Sequence, residues 1–142
     1  MRLPTWKPTR GLGHGDMWLL LNEISEDSTD RTWIGVSVGS GGRTQLGLEL
    51  TFRNALKQIA AAVVQEKVHA DRLQKAGFRK DESGTRLFMP IAIDRLRLAK
   101  GYGENCLAEA LGPVTKAVEA VIAANHDLDA LVEAVRNKAR GK

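Results

Sequence analysis

The sequence has little of what marks secreted, membrane-bound and disulfide-rich proteins. Its 142 residues include one cysteine, Cys106, which excludes an internal disulfide and predicts a reduced, intracellular protein. No apolar run approaches the ~20 residues of a membrane span. Pro4, Pro8 and Arg10 stand where a signal peptide needs an apolar stretch. We therefore predict a cytoplasmic protein without a membrane partner.

Catalytic and metal-binding motifs are also missing. His14, His69 and His126 fall in three different predicted elements, and the chain has neither HExxH nor CxxC, so we expect no metal site. Gly35-Val36-Ser37-Val38-Gly39 has the GxSxG spacing, but it falls in the strand predicted at 32–38 and not in a strand-to-helix turn, so no serine forms a nucleophile elbow. Cys106 next to Leu107 is typical of a small buried apolar side chain more than of a nucleophile. We expect no cofactor and no catalytic residue, and the sequence favours a protein without enzymatic activity but does not decide the question.

The net charge of +4 belongs to the two ends of the chain. The first fifteen residues carry +3 and the last seven carry +4, whereas the residues between them hold fourteen basic and seventeen acidic side chains, a balance of −3. A fold that grips nucleic acid usually has a basic face. Basic ends alone predict only weak, salt-sensitive affinity for phosphates, or simply solubility.

Three regions are predicted along the chain: an irregular basic arm at 1–15, one α+β domain at 16–136 and a basic tail at 137–142. Within the domain, 17–21 is a short apolar run suited to a strand. Alternating apolar residues at 32–38 and 46–50, joined by a glycine-rich turn, predict a β-hairpin. With 17–21 these segments would form a three-stranded antiparallel meander.

A single long helix is predicted from about residue 53 to Ala76, with Thr51 as its N-cap. Apolar residues recur at three- and four-residue steps on one stripe: Phe52, Leu56, Ile59, Ala60, Val63 and Val64. With Gly77 at the left-handed C′ position, Phe78 and Leu73 take the positions of the hydrophobic pair that accompanies a Schellman cap. The helix is therefore expected to end sharply at Gly77.

Polar residues replace the apolar stripe in the second half of this helix. Lys67, Asp71 and Gln74 occupy the positions where apolar residues are expected. Either the helix extends beyond the sheet into solvent, in which case Lys67 and Asp71 form a surface pair, or this polar face lines a cleft. We take the three residues as cleft candidates.

A second hairpin and C-terminal helices complete the predicted fold. Leu87, Met89, Ile91 and Ile93 alternate toward one face, and Pro90 indicates an edge or interrupted strand. Residues 94–103 fit either a helix capped by Asp94 or a continued strand. A short helix with Leu107 and Leu111, a helix starting at Pro113 and a last helix capped by Asp127 follow. The last helix should bury Leu128, Leu131, Val132 and Val135. This order predicts an α+β fold with one long central helix packed on an antiparallel sheet.

Two groups of residues are candidates for contact with phosphates or nucleic acid. Trp6, Lys7 and Arg10 combine an aromatic ring with basic groups, as in proteins that bind single strands. Arg79, Lys80 and Arg86 flank the turn of the second hairpin, where Asp81 and Glu82 offset part of their charge.

The segment ADRLQKAGFRKDESGTRLFMPIAI at 70–93 resembles the end of a GCN5-related acetyltransferase, in which a helix passes through a K-x-GF corner into a final strand. The resemblance covers about a sixth of the chain and implies binding of an acyl-coenzyme A. The family's diagnostic Gln/Arg-x-x-Gly-x-Gly/Ala loop is not matched by GRTQLGLE at 42–49.

These observations favour a non-catalytic binding or interaction domain. A protein partner or self-association is the first expectation, with the Pro90 strand and the C-terminal helices as dimer surfaces. Nucleic-acid binding is the second, and an acetyltransferase-like acyl-coenzyme A-binding protein is the alternative from a different class.

Overall fold

The computed structural model describes residues 15–24, 46–81, 84 and 86–141. Trp6, Lys7 and Arg10 lie outside these residues, as does nearly all of the predicted arm. The predicted strand at 32–38 and the glycine-rich turn after it also lie outside them.

Four antiparallel strands form one sheet in the part of the chain that the structure describes, in the spatial order β1-β2-β4-β3. They are β1 (Met17–Glu23), β2 (Leu46–Phe52), β3 (Arg79–Lys80) and β4 (Leu87–Ile91). β1 pairs with β2 along its whole length, and β3 and β4 form the predicted second hairpin. β2 joins the two units because Leu48 also lies opposite Met89 of β4.

Five α-helices accompany the sheet in the described residues. They are α1 (Lys57–Gln65), α2 (Lys67–Lys75), α3 (Arg95–Gly103), α4 (Gly112–Ala123) and α5 (Asn125–Arg140). A one-turn 3-10 helix at Asn54–Leu56 leads into α1. The predicted α+β class is therefore confirmed. None of these helices is long and apolar enough to cross a membrane.

The core forms where the period-2 pattern of the strands meets the apolar stripes of the helices. Leu50 of β2 and Ile91 of β4 are buried together with Val63 of α1 and Leu131 of α5. Burial of Leu87, Met89 and Ile93 confirms the predicted alternation around β4. Removing these side chains from water supplies most of the driving force for the fold.

The predicted long helix is wrong in one respect, because it is broken at Glu66. Glu66 has φ −61° and ψ 126°, an extended conformation, and it separates α1 from α2. Residues 57–75 contain neither glycine nor proline, so no intrinsic helix breaker causes the interruption. Tertiary hydrogen bonds flank it instead: Gln65 Nε2 donates to the Gly84 carbonyl over 2.7 Å, and Lys138 Nζ donates to Glu66 Oε1 over 2.8 Å.

The start of the helix is also later than predicted. Thr51 lies opposite Trp18 in the sheet, so it is a residue of β2 and not an N-cap. Phe52 likewise belongs to β2, where it is buried opposite Met17. Sheet pairing of two more residues outweighs the weak capping preference of one threonine.

The Schellman cap at Gly77 is confirmed. Gly77 has φ +100°, its amide donates to the Gln74 carbonyl over 3.0 Å, and the Phe78 amide donates to the Leu73 carbonyl over 2.9 Å. Leu73 and Phe78 are each 1% exposed, as expected of the hydrophobic pair. The cap reverses the chain so that β3 begins directly after α2.

Pro90 does not mark an outermost strand. It lies in β4, between β2 and β3, and faces Gly47 of β2. The prediction of an edge strand is therefore wrong for β4 as a whole. β3 pairs only with Leu87 and Phe88, so it ends before it reaches Pro90, and the missing amide proton interrupts no ladder on that side.

The ambiguous segment at 94–103 is helical. Asp94 caps α3, which confirms the helical alternative of the two predictions for this segment. Its carboxylate accepts a hydrogen bond from the Arg97 amide over 2.9 Å. That hydrogen bond holds the pKa of Asp94 below its ordinary value. Leu98 is buried and Leu96 is 75% exposed, which follows helical periodicity and not strand alternation.

The C-terminal helices follow the sequence except at their starts. Residues 104–111 form turns where a short helix around Leu107 and Leu111 was expected. Pro113 lies in the first turn of α4, as predicted. Ala124 holds the N-cap position of α5, so Asp127 is a first-turn residue and not the cap. The four predicted apolar residues of α5 are all buried. α5 continues to Arg140, so residues 137–140 of the predicted tail are helical.

Candidate functional site

A cleft of about 610 Å³ lies between α2 and the β3–β4 hairpin. We call it the α2–β3 cleft. Its described lining comprises Ala70, Gln74, Gly77, Phe78, Arg79, Lys80, Leu87 and Pro90. Two of these side chains are cations and none of the described ones is acidic. Its volume falls within the ~300–1,000 Å³ typical of sites for small ligands or groups.

The Schellman corner places the cations at the cleft. Because Phe78 is anchored in the core, Arg79 and Lys80 must follow immediately on the strand that leaves the corner. Gly77 forms part of the wall, and a Cβ at this position would lie 3.3 Å from the Met89 sulfur. A positive φ and a tight contact therefore both favour glycine here.

The cleft brings together residues from both predicted sets. Gln74 was a cleft candidate, and Arg79 and Lys80 were phosphate-contact candidates; all three line the cleft. Lys67 and Asp71 are exposed on α2 but are not among the lining residues. Of the three polar residues predicted as cleft candidates, Gln74 near the C-terminal end of α2 therefore lines the cleft, whereas Lys67 and Asp71 lie outside its described lining.

Lys80 is held by a neutral partner. Its ammonium donates to Gln65 Oε1 over 2.6 Å, and Gln65 Nε2 donates to the Gly84 carbonyl over 2.7 Å. Gln65 is the last residue of α1, directly before the helix break. Its side-chain amide therefore connects the end of α1 to Gly84 in the hairpin turn and to Lys80 in the cleft.

Positive charge is concentrated in the segment that contributes most of the described lining of this cleft. Residues 67–80 contain five basic side chains and one acidic side chain. All five are exposed: Lys67, Arg72, Lys75, Arg79 and Lys80. We call them the α2–β3 basic surface. Sequence reasoning did not single out Arg72 or Lys75, because it balanced charge over the whole domain. A count of charged residues over positions 67–80 alone would have identified them.

Arg86 is committed to an internal ion pair. Its Nε and Nη2 donate to Glu49 Oε1 and Oε2, each over 2.8 Å, and Nη2 also donates to the Glu23 carbonyl over 2.8 Å. The hydrogen bond from Arg86 lowers the pKa of Glu49, against an opposing effect of burial. This bidentate pair ties β4 to β2 and β1, so Arg86 differs from the exposed Arg79 and Lys80.

A smaller cavity of about 270 Å³ lies at the end of β2, where β4 no longer pairs with it. Its described lining is mainly apolar, from Leu50, Phe52, Ala60 and Val64, with Lys57 as the one charged group besides the Glu49–Arg86 pair. These four apolar side chains are themselves buried, so the cavity offers little polar surface for recognition.

Other reactive groups are dispersed. Cys106 is exposed, which corrects the prediction of a buried apolar residue. It lies in the turns after α3, where its amide donates to the Gly101 carbonyl over 2.7 Å. Among the described residues, no group of three or more His, Cys, Asp or Glu side chains could hold a metal ion.

The fold and cleft describe an α+β domain with a basic, partly apolar surface groove. No protein-family model, curated protein or solved structure matches the chain.

Proposed function

We propose that the protein is a non-catalytic binding domain that holds the phosphate groups of nucleic acid on its α2–β3 basic surface. The observation that carries this proposal is the concentration of five exposed cations and one carboxylate within residues 67–80, beside a cleft without an acidic residue in its described lining. Exposed cations release counterions when they meet phosphates, which drives such binding.

Arg79 and Lys80 would make the central contacts. A guanidinium binds two phosphate oxygens at once, whereas an ammonium acts as a compact point charge. The two residues are consecutive on β3 and both line the cleft, so each can contact a phosphate group bound there. Gln74 adds an amide that can donate to a phosphate or sugar oxygen.

The cleft favours recognition of the backbone and not of base sequence. Phe78 is the aromatic residue of the described lining, and it is 1% exposed, so it offers no ring on which a base can stack. Cations that touch phosphates position a protein on nucleic acid without reading its sequence. We therefore expect similar affinity for oligonucleotides of different sequence.

The test is binding of labelled DNA and RNA strands of about 20 nucleotides, and of a duplex, at about 50 and 200 mM salt. We expect affinity to fall steeply with salt. Arg79→Gln and Lys80→Gln should each weaken binding and reduce the slope of log K against log salt by about one. Lys116→Gln removes an exposed lysine of α4 that does not line the cleft, and is the matched control. Absence of binding at low salt would overturn the proposal.

Two competitors separate this proposal from the other interpretations. An acidic protein partner would use the same cations, so poly-glutamate that competes as well as an oligonucleotide at equal charge would favour a protein ligand. The acetyltransferase-like alternative requires acyl-coenzyme A binding. Thermal stabilisation by acetyl-coenzyme A that exceeds stabilisation by an oligonucleotide would favour that alternative instead.

A further inference from the structure

Gln65 is placed to control the orientation of the Lys80 ammonium. The Gly84 carbonyl can only accept a hydrogen bond, so it selects the amino end of the Gln65 amide, and the Oε1 end must face Lys80. One side chain at the end of α1 thus joins the hairpin turn to a cation of the cleft.

The neutrality of this partner distinguishes Lys80 from other anchored cations of the fold. Lys138 is paired with Glu66, Arg86 with Glu49, and Arg136 with Asp16. Each of those positive charges is offset by a carboxylate. Lys80 has no carboxylate within ion-pair distance among the described residues, and the side chain that accepts its hydrogen bond, Gln65, is neutral.

We infer that Gln65 is a positioning residue that pre-organises Lys80 for an anionic phosphate group in the α2–β3 cleft. This inference rests on the proposed function and specifies how the cleft reaches its affinity. A lysine side chain held in advance loses less rotamer freedom when the ligand binds. An ammonium has three donor hydrogens, so the bond to Gln65 leaves donors for the phosphate oxygens.

The inference predicts different effects for two substitutions. Gln65→Leu removes the acceptor but no charge, so it should weaken oligonucleotide binding several-fold and leave the salt slope unchanged. Gln65→Glu places a carboxylate beside Lys80 and beside the Gly84 carbonyl. It should weaken binding further and reduce the salt slope by about one, as Lys80→Gln does.

The experiment measures these variants with the same labelled oligonucleotide of about 20 nucleotides across a salt series. Gln58→Leu and Gln58→Glu are matched controls, because Gln58 is an exposed glutamine of α1 that does not line the cleft. Thermal unfolding of each variant shows whether the fold is intact. A purely structural role for Gln65 would lower the melting temperature while the affinity and slope of the folded protein remain those of the wild type.

The outcomes separate the two claims. If Lys80→Gln weakens binding but the Gln65 variants shift it no more than their Gln58 counterparts, the role of Gln65 is rejected and the proposed function stands. If neither Lys80→Gln nor Arg79→Gln changes binding, the proposed function fails, and the role of Gln65 fails with it.

Discussion

Arg136 donates a hydrogen bond from Nε to Oδ2 of Asp16 over 2.9 Å, across 120 residues of sequence. Asp16 is 2% exposed and is the buried charged residue of the described chain. Its other carboxylate oxygen lies 3.4 Å from Nε of Arg53, and its carbonyl accepts from the Arg53 amide. Burial would lower the pKa of Arg136, but hydrogen bonds to Glu133 and Asp16 outweigh it and raise that pKa. The start of β1 is thereby joined to the end of β2 and to α5.

Arg136→Met should destabilise the protein by about 3 kcal/mol, because it leaves a buried carboxylate with one arginine fewer. Urea unfolding at neutral pH measures the change. Arg140→Met, an exposed arginine of the same helix, is the control and should change stability by less than about 0.5 kcal/mol. Equal effects of the two substitutions would contradict a structural role for the Asp16 cluster.

Gly77→Val should destabilise the protein by about 2 kcal/mol, since a β-branched residue resists the positive φ of the Schellman cap. Gly77→Asn should cost less, because asparagine tolerates the left-handed region better. Thermal or urea unfolding of the two variants gives the comparison. If valine were tolerated as well as asparagine, the backbone conformation could not be what selects glycine here.

The stabilising effect of Glu49 should depend on pH. Because Arg86 lowers the folded-state pKa of Glu49 from its ordinary value of 4.5, the carboxylate contributes stability above about that pH. This contribution is lost as the pH falls from the unfolded-state pKa through the lower folded-state value. Glu49→Gln should therefore lose about 1–2 kcal/mol at pH 7 and progressively less in acid.

Urea unfolding of wild type and Glu49→Gln between about pH 7 and pH 3 measures this difference. Glu119→Gln, an exposed glutamate of α4, is the control for the loss of one charge. A stability difference for Glu49→Gln that stays constant across this range would show that the ion pair with Arg86 does not carry the effect.

Local patterns were sufficient where a single element decides the outcome. The Gly77 cap depends on residues 73–78, and the burial of Leu128, Leu131, Val132 and Val135 depends on the periodicity of one helix. The class of fold followed from the order of such elements. Three residues of the candidate site were predicted from the sequence by two separate arguments. Gln74 was predicted as a cleft residue, and Arg79 and Lys80 were predicted as phosphate contacts.

Patterns failed where distant residues compete for the same backbone or side chain. Thr51 can cap a helix, but pairing with β1 extends β2 through it. Glutamate is a good helix former, so nothing local predicts a break at Glu66. The structure nevertheless has a break there, flanked by the hydrogen bonds of Gln65 with Gly84 and of Glu66 with Lys138. Arg86 was predicted as a phosphate contact from its place beside the turn, and only the structure shows that Glu49, 37 residues earlier, accepts its guanidinium.

The sequence by itself therefore determined the apolar periodicities, the helix stop at Gly77 and the local excess of basic residues between 67 and 80. Only the tertiary structure decided which of those basic residues line a cleft and which partner each one has. The physical reason is that a charge acts on whatever lies within a few ångströms of it in space. Lys80 thus depends on a glutamine that the sequence places fifteen residues away.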